Sequence, residues 1–78
     1  MAVNRRRAAA SALKKLGARI RQLRTERNMS QEALAFDAGV AVNSIATIER
    51  GEANPSVAVL LAISRVLKVK LRDLVDDL

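Results

Sequence analysis

Residues 30–50 read SQEALAFDAGVAVNSIATIER, and their spacing decides the fold. Ser30 is a helix N-cap whose hydroxyl can accept from the first-turn N–H groups, and Glu32 suits the positive end of the helix dipole. The helix runs through Leu34 and Ala35 to Ala38, about two turns. Gly39 then supplies the left-handed residue that ends it. A second helix starts near Val42 and runs to about Arg50, with Ile45 and Ile48 inward and Gly51 as its stop. Two short helices crossing steeply need a small side chain at the crossing, a turn of three or four residues and an apolar plug after it. Ala35, Gly39 and Val40 stand in that order. Val42, Asn43, Ala46 and Thr47 then face outward. Each feature alone is ordinary packing, whereas the ordered set is specific.

Outward from this stretch, the rest of the chain reads as helix. Leu13, Leu16, Ile20 and Leu23 recur at steps of three and four, one face of an amphipathic helix ending near Asn28. Before it, residues 1–10 carry Arg5-Arg6-Arg7 and three alanines without an apolar stripe. They are expected to form a mobile basic arm that could extend the first helix. The compact domain is expected over 11–78. Ser56 caps a fourth helix reaching about Leu67, with Val57, Leu60, Ile63, Ser64 and Leu67 inward. Val59, Ala62 and Val66 leave its outer face apolar. A last short helix covers about Leu71 to Asp77, with Leu71, Leu74, Val75 and Leu78 on one side. Lys70 is a weak cap, and Val69 could staple against Leu74 across the helix start.

Composition supports an all-helical reading and removes several kinds of chemistry. Half the residues are apolar, yet Phe36 is the single aromatic, so the core is expected to be aliphatic. With no cysteine and no histidine, disulfide staples and the usual zinc sites are excluded, and acid–base catalysis loses its usual agent. No nucleophile–base pair, metal cluster or phosphate loop appears, so no catalytic residue, metal or cofactor is expected. No apolar run has membrane-spanning length, which points to a cytoplasmic protein. The net charge is +6, and nine of the fourteen basic residues fall within residues 1–39 against three acids. A one-sided basic excess suits a polyanion, although a charge run is more often a solvated face.

Met29 through Val40, then Ile45-Ala-Thr-Ile-Glu-Arg-Gly51 and Asn54-Pro-Ser56, resemble the phage repressor/Cro-type helix-turn-helix family. The resemblance extends from about Leu13 to Val75. It is closest in size to stand-alone members such as restriction–modification controller proteins and compact phage or plasmid repressors. It implies a five-helix, lambda-repressor-like fold and a regulator of transcription that binds double-stranded DNA. Position by position, Val42, Asn43 and Thr47 match residues that read base edges in the major groove. Gln31 matches one that touches the DNA backbone and braces the recognition helix. Ser44 and Arg50 match phosphate contacts, and Arg24 with Glu49 matches an ion pair between the first and third helices. The chain departs from the family at Ala41, where a polar cap is common, at Lys68, where glycine is, and at Lys70, where Ser or Thr is.

Physical chemistry adds detail to that resemblance. Asn43 could pair bidentately with adenine and Val42 could pack on a thymine methyl, while plain helix surface stays open for Val42 and Thr47. No Arg or Gln on the outer face of the third helix offers guanine a bidentate contact. Arg5, Arg6 and Arg7 have three readings: a solubilising tail, diffuse phosphate attraction and insertion into a minor groove. A monomer this small makes few contacts, so a homodimer on a two-fold symmetric operator is expected. Its surface would lie within 57–78, with Val59, Val66, Leu74, Val75 and Leu78 as candidates. A DNA-binding antitoxin, its apolar surface holding a toxin partner protein, is the alternative within the same biochemistry. A membrane-surface protein is the alternative from another class, and it leaves residues 30–50 unexplained.

Overall fold

The first helix is longer than apolar periodicity alone predicts. In the computed structural model, which describes residues 4–78, α1 spans Arg5–Glu26. The Asn4 side chain accepts from the Arg7 N–H at 3.1 Å and caps it. Residues Arg5–Ala10, expected as an arm that could extend the helix, therefore form its first turns, while 1–3 lie outside the described residues. The alanine run explains the continuation, because alanine is the strongest helix former. α1 ends as Asn28 takes a left-handed conformation (φ 54°), one that asparagine tolerates better than most residues.

Four shorter helices follow: α2 (Gln31–Ala38), α3 (Val42–Glu49), α4 (Val57–Leu67) and α5 (Leu71–Val75). Ser30 and Ser56 cap α2 and α4 as expected, their hydroxyls accepting from Ala33 N–H at 3.0 Å and Val59 N–H at 3.1 Å. Gly39 ends α2 at φ 73°, and the Val40 N–H closes back on Ala35 O at 3.0 Å. Ala41 gives α3 no side-chain cap. At the start of α5, the Lys70 N–H donates to the Asp73 carboxylate at 2.8 Å, so the helix is closed from inside rather than by residue 70's side chain. There is no strand among the described residues.

The core is aliphatic throughout. Leu16, Ile20 and Leu23 of α1 meet Leu34 and Ala35 of α2 and Ile45 and Ile48 of α3; Leu60, Ile63, Leu67 and Leu74 close it from below. Two apolar assignments change. Val57 was expected inward but is 63% exposed, because it opens the first turn of α4 ahead of the core contact made by Leu60. Leu78 is 47% exposed, since α5 stops at Val75 and the last residues leave the helical face. Phe36 projects into solvent at 85% exposure.

Lys68, where the family often has glycine, ends α4 at φ 59°. A left-handed residue with a Cβ costs about 1–2 kcal/mol, partly offset by the extra unfolded-state entropy of glycine. Lys68→Gly is therefore expected to stabilise the domain by about 0.5–1 kcal/mol. It would read as a higher urea midpoint at unchanged slope.

Candidate nucleic-acid interface

α3 is held tightly at one end and left free at the other. At its C-terminal end, the Glu49 carboxylate takes both arms of the Arg24 guanidinium, at 2.7 Å from Nε and 2.9 Å from Nη2. Arg24 spends its remaining arm on Met29 O at 2.7 Å, which ties the α1–α2 connection to the same point. Gln31 Nε2, in the first turn of α2, donates to Glu49 Oε1 at 3.1 Å. Three elements thus converge on a carboxylate whose side chain is 3% exposed. The hydrogen bond that Arg24 donates to Glu49 raises the guanidinium above its ordinary pKa, against the opposing desolvation; the charges of Glu49 and Glu32 add to it. Because the shift is upward, this stabilisation is complete below the ordinary guanidinium value and is lost only as pH climbs past the raised one.

Two glycines let α1 come this close, and the sequence alone did not reveal the first. At Gly17, in the middle of α1, a Cβ would meet Ile48 O and stand 2.6 Å from Glu49 O. At Gly51 (φ 76°) a Cβ would stand 2.8 Å from the Lys14 Cα. The available signal at Gly17 was a glycine inside an amphipathic helix beside the inward Leu16, which costs about 1 kcal/mol against alanine and so calls for a packing reason.

The free end carries two of the three expected reading residues. Asn43 is exposed and Val42 is 42% exposed. Ser44 is half-buried beside them, and Thr47, also half-buried, lies one turn further on, toward the clamped end. The Thr47 hydroxyl donates to Asn43 O and Ser44 O, at 3.1 and 3.0 Å, which leaves its oxygen lone pairs without a partner among the described residues. Arg50 is exposed just past the helix and donates to Glu52 at 3.1 Å. Arg5, Arg6 and Arg7 are exposed in the first turn of α1, far along that helix from α3's clamped end. Of the dimer candidates, Leu74 is corrected: at 2% exposure it belongs to the monomer's own core. Val59, Val66 and Val75 are half-buried against that core, and Leu78 is open.

A helix-turn-helix family model, HTH_3, matches residues 20–74. The chain belongs to this family. Its helix-turn-helix is the α2–Gly39–α3 unit, and the family consists of DNA-binding regulators of transcription rather than enzymes. The control protein C.BamHI of Bacillus amyloliquefaciens is 43% identical over 61 residues, 77% of this chain and 75% of that protein. The transcriptional regulator SinR of Bacillus subtilis is 41% identical over 63 residues, 80% of this chain; the match spans 57% of SinR. Among solved structures, the restriction-modification controller protein C.AhdI from Aeromonas hydrophila superposes with a TM-score of 0.81 at 38% identity. That match covers 82% of this chain and 97% of C.AhdI. The helix-turn-helix chain is thus a regulator of the repressor and controller type.

Proposed function

We propose that this regulator binds a two-fold symmetric operator as a homodimer, with α3 in the major groove, and acts by occupying the site. The observation that carries the proposal is the one-ended clamp on α3. Arg24, Gln31 and Gly17 fix its C-terminal end, while Val42 and Asn43 stand in the opposite first turn and Thr47 follows one turn further along, with no acid among the three. Asn43 pairs with adenine, Val42 packs on a thymine methyl, and Thr47 accepts or packs beside them. Gln31, Ser44 and Arg50 take phosphates around the same groove and set the register without reading sequence. Dimerisation through Val59, Val66, Val75 and Leu78 doubles a footprint too small to be specific alone.

Selection of bound duplexes from a random pool tests this directly. Wild-type protein should enrich a two-fold symmetric site, and an absence of enrichment would sink the proposal. Asn43→Ala should relax one position in each half-site by about 1–3 kcal/mol while leaving non-specific affinity unchanged. The thermal midpoint should stay put, because Asn43 packs against nothing in the core.

A further inference from the structure

α1 has two flanks that differ in what they are used for. On one, Arg19 Nε donates to Asp73 O at 3.2 Å and its Nη1 to Gln22 Oε1 at 3.3 Å, while Gln22 Nε2 donates to Glu26 at 3.2 Å. That flank is tied to α5 and carries an acid. On the other, Arg7, Lys14 and Arg21 recur every seven residues, which keeps them on one stripe with a drift of only about 20° per step. Ala10, Ser11, Ala18 and Thr25 fill the same face, and all are exposed. Among the described residues, none of the three cations has an ion-pair or hydrogen-bonded side-chain partner. The stripe is about 21 Å long at the helical rise.

Its placement is fixed by Lys14. The backbone of Lys14 packs against Gly51, so the stripe runs past the α3–α4 connection, beside Arg50. Arg7 and Lys14 also precede Ile20, where the family match begins, and the first turns carrying Arg7 are stacked against nothing. An exposed helix of this kind, with unpaired cations along one edge and small side chains between them, offers a rod-like polyanion a close approach. We infer that the Arg7–Lys14–Arg21 edge of α1 is a second, sequence-independent contact with the backbone of the same DNA duplex, continuing outward from the α3–α4 connection. Arg5 and Arg6 project from other sides of the first turn and take no part. This rests on the proposal that α3 enters the DNA, since only then does the connection meet a phosphate backbone.

The test is the salt dependence of binding to a random-sequence duplex long enough to extend a full turn beyond the protein on either side. Each phosphate contact adds about 0.9 to the slope of log affinity against log salt. The full chain carrying Arg7→Gln, Lys14→Gln and Arg21→Gln should lose about 2.7 from that slope per bound protomer, about 5.4 for the homodimer. Between about 50 and about 200 mM salt, the wild-type dimer's affinity should then fall about two-thousand-fold more than the variant's. A charge-matched control, Lys15→Gln, Arg65→Gln and Arg72→Gln, removes three exposed cations elsewhere and should leave the slope within one contact of wild type. Circular dichroism of both variants checks that α1 stays helical. An unchanged slope in the first variant, with wild-type binding intact, overturns the edge contact and leaves the α3 proposal standing. Equal losses in both variants also overturn it, because net charge would then be acting diffusely. Absence of any duplex binding by wild type overturns the α3 proposal, and the edge contact with it.

Discussion

Gly17→Ala is expected to destabilise the domain by about 2 kcal/mol, although alanine is the better helix former by about 1 kcal/mol. The atoms in the way are main chain: Ile48 O, and Glu49 O at 2.6 Å from the added carbon. Neither can rotate aside as a side-chain end would, so α1 and α3 must separate. Overpacking costs about 1–3 kcal/mol and occasionally more, and a backbone-against-backbone clash belongs at the upper end. The propensity gain offsets part of this. At about 4–8 °C per kcal/mol for a domain of this size, the thermal midpoint should fall by about 10 °C. The neighbouring Ala18→Gly supplies the contrast. Residue 18 is exposed on α1, so the change should cost only the propensity difference, about 1 kcal/mol. Opposite exchanges at adjacent positions would thus both destabilise. A neutral or stabilising Gly17→Ala would mean that α1 and α3 do not approach as described.

The contrast between Gly17 and Gly39 also shows which parts of this fold are legible in the sequence. Ala35, Gly39, Val40, Ile45 and Ile48 act on one another across a few residues, so their spacing carries the turn and both buried faces. Ser30 and Ser56 are equally local, since a cap satisfies N–H groups in the turn that follows it. Gly17 acts on residues about thirty positions away, and nothing in its surroundings encodes that distance. Lys14 over Gly51 is the same case. The helical start at Arg5 escaped the apolar pattern because alanines extend a helix without marking a face. Leu74 and Leu78 share one stripe, yet one closes the core and the other is open, since α5 ends between them. The candidate reading residues Val42 and Asn43 were placed by family resemblance, and their exposure follows from the inward positions of Ile45 and Ile48. At the hub on Glu49, the family resemblance supplies both the Arg24 pair and Gln31 as a brace of α3; that Gln31 braces through the same carboxylate required the crossing angle of α2.

Glu49→Ala should be the most damaging single side-chain truncation, costing about 3–5 kcal/mol. It removes two hydrogen bonds from a guanidinium whose side chain is 11% exposed and takes away the acceptor for Gln31. A charge left buried without its partner costs far more than the pair contributes over a neutral core. Natural domains are stable by only about 0.05–0.15 kcal/mol per residue, so a loss of this size removes a large share of the total. The exposed pair Arg50–Glu52, with side chains 54% and 60% exposed, is the internal control, and Glu52→Ala should cost under about 1 kcal/mol. Replacing both buried partners, Arg24→Met with Glu49→Leu, should recover most of the stability, because no orphaned charge remains. It should not recover DNA affinity. Gln31 would still lack its partner on α3, and the angle at which α2 presents α3 would rest on apolar packing alone. Urea unfolding and duplex titration of the same proteins separate the two effects. A double variant with restored stability and full affinity would show that Glu49 only holds the fold; restored stability with weakened binding would assign it the orientation of α3 as well.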